Sequence, residues 1–265
     1  MLITEKECRT ALNRCGIPGI EYCLNPYTGC SHGCLYCYAS FMKKFCNISG
    51  EWGSFVQVKI NFAERLQASL KRKKQGCVIL SSVTDPYQPV EKKYRLTRSC
   101  LELLTGTDLS VDILTKSDLV LRDLDLLKKL PRVKVGLTIT TMDPHVAKLL
   151  EPGAPPPERR LQALAQLTAA GIRTWIFIAP VVPGIADSRE NLSFILKKAR
   201  AAGVQEIDYD PLNFYPAAVS NLRAVFKKHW PRQLPIFDAA CQDPYYYKQH
   251  LYSLADELLA KYGYE

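Results

Sequence analysis

The sequence predicts an α/β fold, a partial (β/α)6 TIM-like barrel finished by C-terminal helices, and three observations carry that expectation. Apolar runs of about four to seven residues alternate with amphipathic runs of about 8–15 residues, the usual lengths of strands and helices. That alternation gives parallel strands joined by right-handed crossovers. Six such units fit before residue 210, short of the eight of a full barrel, and residues 216–262 then read as helical with no further strand.

In chain order, residues 1–21 read as an irregular lead-in with a turn at Ile17-Pro18-Gly19. Tyr22 to Asn25 forms the first strand and runs into a cysteine-rich loop. Residues 35–46 read as a short helix carrying Phe41 and Phe45, followed by a turn at Ser49, Gly50 and Gly53 and by the alternating, extended Phe55 to Ile60. A helix runs from its cap Asn61 to Lys74. Cys77 to Ser81 is the second strand, and Ser82 to Glu91 is a polar loop with two prolines. Thr97 caps a helix to Thr105; Val111 to Thr115 is the third strand, with Asp123 to Leu130 as its helix. Val133 to Thr140 is the fourth strand, and the helix Glu158 to Ala170 is stopped by Gly171. Arg173 to Ala179 is the fifth strand, Val181 to Asp187 a Pro- and Gly-rich loop, and Ser188 to Ala202 a helix stopped by Gly203. Gln205 to Tyr209 is the sixth strand. Val219 to Lys228 and Gln249 to Lys261 read as closing helices, with Tyr245-Tyr246-Tyr247 between them suited first to packing and second to stacking. One domain is expected: a lead-in over 1–21, a barrel core over 22–210 and a helical closure over 211–265.

The 265 residues, 47% hydrophobic and 23% charged, suit a soluble globular chain with a real core. Neither an 18-residue apolar run nor a basic, apolar leader is visible, so a cytoplasmic protein that does not enter membranes is expected. A reducing compartment disfavours disulfides, so the ten cysteines are read as ligands or free thiols. Cys77 and Cys100 sit in apolar or helical runs and read as core. Cys8, Cys15 and Cys23 are spaced too widely for a compact second ligand loop. The net charge of +9 favours anionic partners such as nucleic acid, against the plainer reading of a basic surface. Cations cluster at Lys43-Lys44, Lys71 to Lys74, Lys92-Lys93 and Lys197-Lys198, mostly on predicted helices.

The chemistry centres on Cys30-Ser-His-Gly-Cys34-Leu-Tyr-Cys37. Cysteines at i, i+4 and i+7 bring three thiolates round one point. That suits an iron–sulfur cluster with one iron left open to a small chelating molecule, since such clusters normally take four thiolates. A zinc site with His32 as fourth ligand is the alternative, strained by the place of His32 inside the loop, and buried structural thiols are the third reading. The C-x3-C-x2-C pattern, with Tyr36 before the last cysteine, resembles the signature of the radical S-adenosylmethionine (SAM) superfamily. Its surroundings, Asn25-Pro-Tyr-Thr-Gly-Cys30 and Cys37-Tyr-Ala39, resemble the spore photoproduct lyase-related branch, often labelled DNA-repair-photolyase-like. Glu151-Pro-Gly153, Arg159-Arg160 and Asp187 extend the similarity over most of residues 15–210. The resemblance implies an open barrel, a 4Fe-4S cluster on Cys30, Cys34 and Cys37, and SAM bound to the open iron. It also implies an electron donor of flavodoxin or ferredoxin type, and reductive cleavage of SAM to a 5′-deoxyadenosyl radical that abstracts hydrogen from a substrate.

In parallel α/β barrels the active groups gather on the loops after the strands. The cluster loop follows strand one, so Ser82, Thr84 and Asp85 after strand two, Lys116 after strand three, Thr138 and Thr140 on strand four, Pro180 to Gly184 after strand five and Asp208 to Asp210 after strand six should face it. Lys116 is the candidate for the SAM carboxylate, as a charge-assisted donor and by resemblance. Ser82, Thr84, Asp85, Thr138 and Thr140 are candidates for its ammonium or ribose, and Tyr36 for its adenine. Tyr36 and Tyr38 match tyrosines implicated in the radical relay of spore photoproduct lyase. Ser82 falls where that enzyme places its hydrogen-donating cysteine, and a serine O–H is a far poorer hydrogen donor than a thiol. The substrate therefore stays open. Nucleic acid is the first expectation; modification of a peptide or partner protein, beside a second radical SAM protein, is an alternative; a non-catalytic iron–sulfur binding or regulatory protein is another.

Overall fold

The computed structural model describes residues 1–46, 50–72 and 74–264; Ser49 of the predicted turn and Lys73 of the basic run lie outside them. The strands are β1 (Leu2–Lys6), β2 (Leu12–Arg14), β3 (Tyr22–Leu24), β4 (Tyr27–Thr28), β5 (Phe55–Lys59), β6 (Cys77–Leu80), β7 (Ser110–Thr115), β8 (Val133–Thr138), β9 (Arg173–Val181) and β10 (Glu206–Pro211). The helices are α1 (Met42–Phe45), α2 (Phe62–Leu70), α3 (Glu91–Tyr94), α4 (Leu96–Leu104), α5 (Leu124–Leu127), α6 (Pro144–Leu150), α7 (Pro157–Ala169), α8 (Arg189–Ala201), α9 (Pro216–His229), α10 (Leu234–Gln242) and α11 (Pro244–Lys261).

The main sheet runs β10-β9-β8-β7-β6-β3-β2. Its six members from β3 to β10 are all parallel and coincide with the six predicted strands; β2 adds an antiparallel edge. The sheet does not close, so this is a partial barrel with β10 and β2 as its free edges. The core forms because strand residues such as Ile113, Val135, Leu137, Ile176 and Ile178 are buried beneath helices on the outer face. Helix α7 shows why: Leu161, Leu164 and Leu167 recur every three residues, lie on one stripe and are buried. Full burial of such a leucine contributes about 1.5–3 kcal/mol.

Several local expectations change. Residues 1–21 are not irregular. β1 pairs in parallel with β5, Leu2 opposite Phe55, in a small second sheet that β4 completes. β1 keeps most of its side chains exposed, so hydrogen bonds hold it and no hydrophobic pattern marks it. The predicted helix 35–46 is delayed until the 310 turn Tyr38–Phe41 and α1, because the cysteine loop occupies its first residues. Asn61 stands at the cap of α2, but its side chain bonds the Cys8 backbone instead. Thr97 lies inside α4, not at its cap: the buried Glu91 carboxylate accepts the Thr97 and Arg98 N–H groups. The predicted helix Asp123 to Leu130 is a 310 turn, Asp118–Asp123, followed by α5 alone. The Tyr245–Tyr247 run opens α11: Tyr247 is buried, its hydroxyl donating to Val181 O at 3.0 Å, while Tyr245 and Tyr246 are exposed. Cys100 is core as expected, whereas Cys77 is only half-buried at the start of β6.

Candidate active site

The cysteine loop leaves β3 and β4 at the C-terminal mouth of the barrel, where Gly29 makes the turn. Its φ is +84°, and a Cβ there would stand 2.5 Å from the Phe55 carbonyl oxygen. Tight bonds from Gly33 N to Cys30 O and from Cys37 N to Cys34 O, both 3.2 Å, coil the cysteines. The loop after β6 grips them: the Thr84 hydroxyl donates to Gly29 O at 2.6 Å, and Gln88 bonds both Gly29 O and Ser31 N. Asn221 of α9 donates to Leu35 O at 3.2 Å and fastens the closing helices to the same loop.

Cys30, Cys34 and Cys37 line one cavity of about 210 Å³. Tyr36, Tyr38, Ser82, Thr84, Asp85, Lys116 and Thr138 are on its wall with them, as are Ala179, Pro180 and Asp210 from the last two strand ends. The sequence reading thus places most of its candidates together, but of the last two loops only Pro180 and Asp210 reach the wall, while Val181 to Gly184, Asp208 and Tyr209 do not line it, and Thr140 is missing as well. β8 ends at Thr138, so the alternation expected to carry Thr140 stops, and Thr140 is buried away from this cavity with its carbonyl bonded by Asn191.

Several candidates are engaged with the protein itself. The buried Asp85 carboxylate accepts from the Thr115 hydroxyl at 2.6 Å, Lys116 N at 2.8 Å and Tyr87 N at 2.8 Å, and His32 Nδ1 lies 3.4 Å away. Burial alone would raise its pKa; His32, Thr115 and the Lys116 N–H outweigh that and hold it at about 2. Asp85 is therefore a clamp between the second and third strand ends. Thr84 is a clamp on Gly29, as above. Ser82 is held by Asn25, which accepts its N–H at 2.9 Å and donates to its Oγ at 3.1 Å.

Behind the cysteines lies an ion-pair cluster. Glu151 pairs with Arg160 and accepts the Tyr36 hydroxyl, and both Glu151 and Arg160 are 1% exposed. Arg160 also donates to Thr138 O at 3.0 Å and Pro155 O at 2.8 Å, so the guanidinium is satisfied where it is buried. Lys116 Nζ stands 3.8 Å from Glu151 and 5.6 Å from the Tyr36 ring centroid. It is the cation at the cavity wall beside the thiols.

The thiols suit a cluster. Burial pushes Cys34 up to about 12 against the pull of Lys116, and raises Cys30 and Cys37 as well. Thiols in this setting give up their protons to a metal centre, which supplies the compensating charge. Among the described residues no three His, Cys, Asp or Glu side chains converge on one ion, and His32 faces Asp85. The three-thiol wall suits a larger centre better than a four-ligand zinc site. Trp52, Phe177 and Asn213 complete the cavity; nothing in their sequence neighbourhoods marked them, because long-range folding alone brings them here.

The open parallel barrel thus carries three cysteines on its first loop, with a lysine and a serine at neighbouring strand ends on the same cavity wall. The family comparison agrees: residues 24–194 match the model of the Radical SAM superfamily, and the chain belongs to that superfamily, whose cofactors are a 4Fe-4S cluster and SAM. An uncharacterized protein of Methanocaldococcus jannaschii is 41% identical over 185 residues, 70% of each chain. An uncharacterized protein of Mycobacterium tuberculosis is 34% identical over 207 residues, 74% of this chain but 61% of its own length. A Radical SAM Nalpha-GlyT isomerase of Pseudomonas phage M6 is 28% identical over 67% of this chain and 36% of its own. Among solved structures, a tyrosine variant of spore photoproduct lyase superposes with a TM-score of 0.68 at 16% identity, over 98% of this chain and 79% of that one.

Proposed function

We propose that the chain is a radical SAM enzyme whose substrate is a nucleic-acid base. The cysteines Cys30, Cys34 and Cys37 would hold the cluster, and Lys116 would take the SAM carboxylate. When bound, these cofactors supply a deoxyadenosyl radical that abstracts hydrogen from the substrate. The protein's part is positional. Asp85 fixes the backbone that presents Lys116, the Glu151–Arg160 pair holds the Tyr36 hydroxyl, and Trp52, Phe177 and Pro180 give the cavity an apolar wall.

The observation that carries the substrate class is a groove at the cavity mouth. It shares Cys34, Tyr38 and Trp52 with the cavity and continues past Phe41, Lys43, Lys44 and Tyr215. Tyr38, Phe41 and Tyr215 are 46%, 41% and 51% exposed. Exposed aromatic faces beside lysines are what a single-stranded or extruded nucleotide needs, stacking for the base and cations for the phosphate. A dinucleoside, the ligand held by one spore photoproduct lyase structure together with AdoMet, has bases for such a groove. Ser82 stands opposite the cysteines in place of a thiol, which argues for a substrate chemistry other than that of a simple photoproduct lyase. The test is anaerobic reconstitution with iron and sulfide, dithionite reduction, and chromatography for 5′-deoxyadenosine. Formation above a Cys34→Ala control, increased by single-stranded oligonucleotides, is expected. Formation no higher than the control would refute the enzyme reading, and indifference to DNA and RNA would refute the substrate.

A further inference from the structure

The cluster loop has a second face. Opposite the cavity, its His32 forms the floor of another cleft of about 500 Å³, and His32 is the one residue shared by the linings of the two. Lys92, Arg122, Lys148 and Arg159 stand around this cleft, with Asp118 as the lone acid among the described lining residues. Arg122 is committed to Glu91 and Asp123, and Arg159 to Asp118. Lys92 has no ion pair among the described residues, and Lys148 bonds only a carbonyl, Pro152 O, at 2.7 Å. The rim is therefore positive. The cleft is also physically coupled to the cysteine loop. Gly153 N donates to His32 O at 2.8 Å, and a Cβ on Gly153 would stand 2.1 Å from Ser31 O, so the cleft wall lies directly on the loop backbone.

From this arrangement we infer that the cleft is the docking surface for an acidic one-electron carrier protein, which reaches the cluster from the side opposite the substrate. The inference rests on the proposed cluster at Cys30, Cys34 and Cys37. In the transfer, one electron leaves the reduced carrier and enters the cluster; the carrier is oxidised by one electron, the cluster is reduced by one, and no atom moves. His32 is two residues from both Cys30 and Cys34, so a carrier seated here is separated from the ligands by a short covalent path. A nucleic acid is the poorer occupant. This cleft leads to the back of the loop, while the aromatic groove opens beside Tyr38 and Trp52 on the substrate side. Opposite charge across the contact would also make association fast and salt-dependent.

The test uses the reconstituted full chain and an acidic flavodoxin as probe. Binding is measured by calorimetry, and 5′-deoxyadenosine formation is compared with flavodoxin or dithionite as reductant. Lys92→Glu with Lys148→Glu should weaken flavodoxin binding at least tenfold and lower flavodoxin-driven formation in step, while dithionite-driven formation stays within twofold of wild type. Lys92→Glu alone, on an exposed side chain, guards against a folding defect in the double variant and should weaken binding at least threefold. Lack of flavodoxin binding by the wild-type chain, equal binding by wild type and both variants, or weakening by Lys43→Glu and Lys44→Glu instead, would overturn the inference. So would loss of single-stranded DNA binding in the Lys92 variant with flavodoxin binding intact. Loss of dithionite-driven formation in the wild-type enzyme would count against the radical SAM reading, and the calorimetric comparison would still decide the docking surface.

Discussion

The Tyr38 hydroxyl donates a hydrogen bond to the Ser82 carbonyl oxygen, joining the cluster loop to the end of the second barrel strand at the point where cavity and groove meet. Tyr38→Phe removes that bond and leaves the ring. A single such bond is worth about 0.5–1.5 kcal/mol, so the variant should fold and bind iron as the wild type does. If Tyr38 serves the substrate side, dithionite-driven SAM cleavage without substrate should stay within about threefold, a ratio of about 0.7 kcal/mol, while the oligonucleotide-dependent increase is lost. Chromatography of 5′-deoxyadenosine with and without oligonucleotide separates the two. A fall to the Cys34→Ala level in both arms would place Tyr38 in SAM cleavage instead.

Lys116 offers a cleaner test of cofactor binding, because its two functions separate. Its backbone N–H holds Asp85 and survives substitution; only its ammonium faces the cavity. Lys116→Met also removes the ammonium that stands 3.8 Å from Glu151, so it should cost about 1 kcal/mol of stability, and it should weaken SAM binding by at least about tenfold, the loss of one charge-assisted hydrogen bond of about 1.5–3 kcal/mol. Calorimetric titration of SAM into the reconstituted variant measures this. Unchanged affinity would remove Lys116 from the SAM site.

The Glu151–Arg160 pair is expected to matter for folding first. Both groups are almost fully buried, and Arg160→Leu leaves the Glu151 carboxylate without its main partner. Breaking a buried pair from one side costs about 3–5 kcal/mol. Chemical denaturation should show a loss of that size, against less than about 1 kcal/mol for Arg159→Leu, whose partner Asp118 lies in a pair at the surface.

Asp85 should leave a signature in acid. Its pKa is 3.8 ordinarily and about 2 in the fold. A depressed carboxyl contributes stability that is fully present above its unfolded pKa and is lost as pH falls through the folded value. The window therefore runs from about pH 4 down to about pH 2, and the shift corresponds to about 2 kcal/mol. The stability difference between wild type and Asp85→Asn should be constant from pH 7 to 5 and shrink below pH 4. A difference that does not change with pH would mean that Asp85 acts by shape alone.

Much of this was legible in the chain because the barrel announces itself twice. Strands such as β6, β8 and β9 bury both faces over most of their length and so appear as apolar runs, and glycines such as Gly171 and Gly203 sit at positive φ where helices stop. Strand order alone puts Ser82, Lys116 and Thr138 on the same face as the cysteines, and all three share their cavity. The illegible parts share a physical cause, the absence of a local signal. β1 is paired by its backbone with its side chains outside. Thr140 falls beyond a strand whose end the sequence did not mark. Thr84 and Asp85 resemble ligands by type, yet their partners, Gly29 and Thr115, are 55 and 30 residues away. The short helix α6 carries a cap signal, Asp143 accepting from His145 and Val146 N–H with Pro144 in the first turn, but it buries only Ala147 and Leu150 and so shows little apolar period.

The groove beyond Tyr38 makes the substrate proposal quantitative. Lys43 and Lys44 lie on α1, with Phe41 just before it and its ring edge-on to Phe45 at 5.7 Å. If these groups bind a single strand, each lysine that meets a phosphate should contribute about 0.7 to the slope of log affinity against log salt. The Phe41 ring, if a base stacks on it, should contribute about 1–3 kcal/mol. Lys43→Ala with Lys44→Ala should therefore lower the salt slope for a single-stranded oligonucleotide by about 1.4. Phe41→Ala should weaken binding at least about fivefold at fixed salt, the lower end of that stacking range, and leave the slope unchanged. Fluorescence anisotropy across a series of salt concentrations reads both quantities. The two kinds of variant must differ in this way for a nucleotide to be lying along the groove: if Phe41→Ala changed the slope, or the lysine variants left it alone, the contact would be of another kind and the peptide alternative would gain.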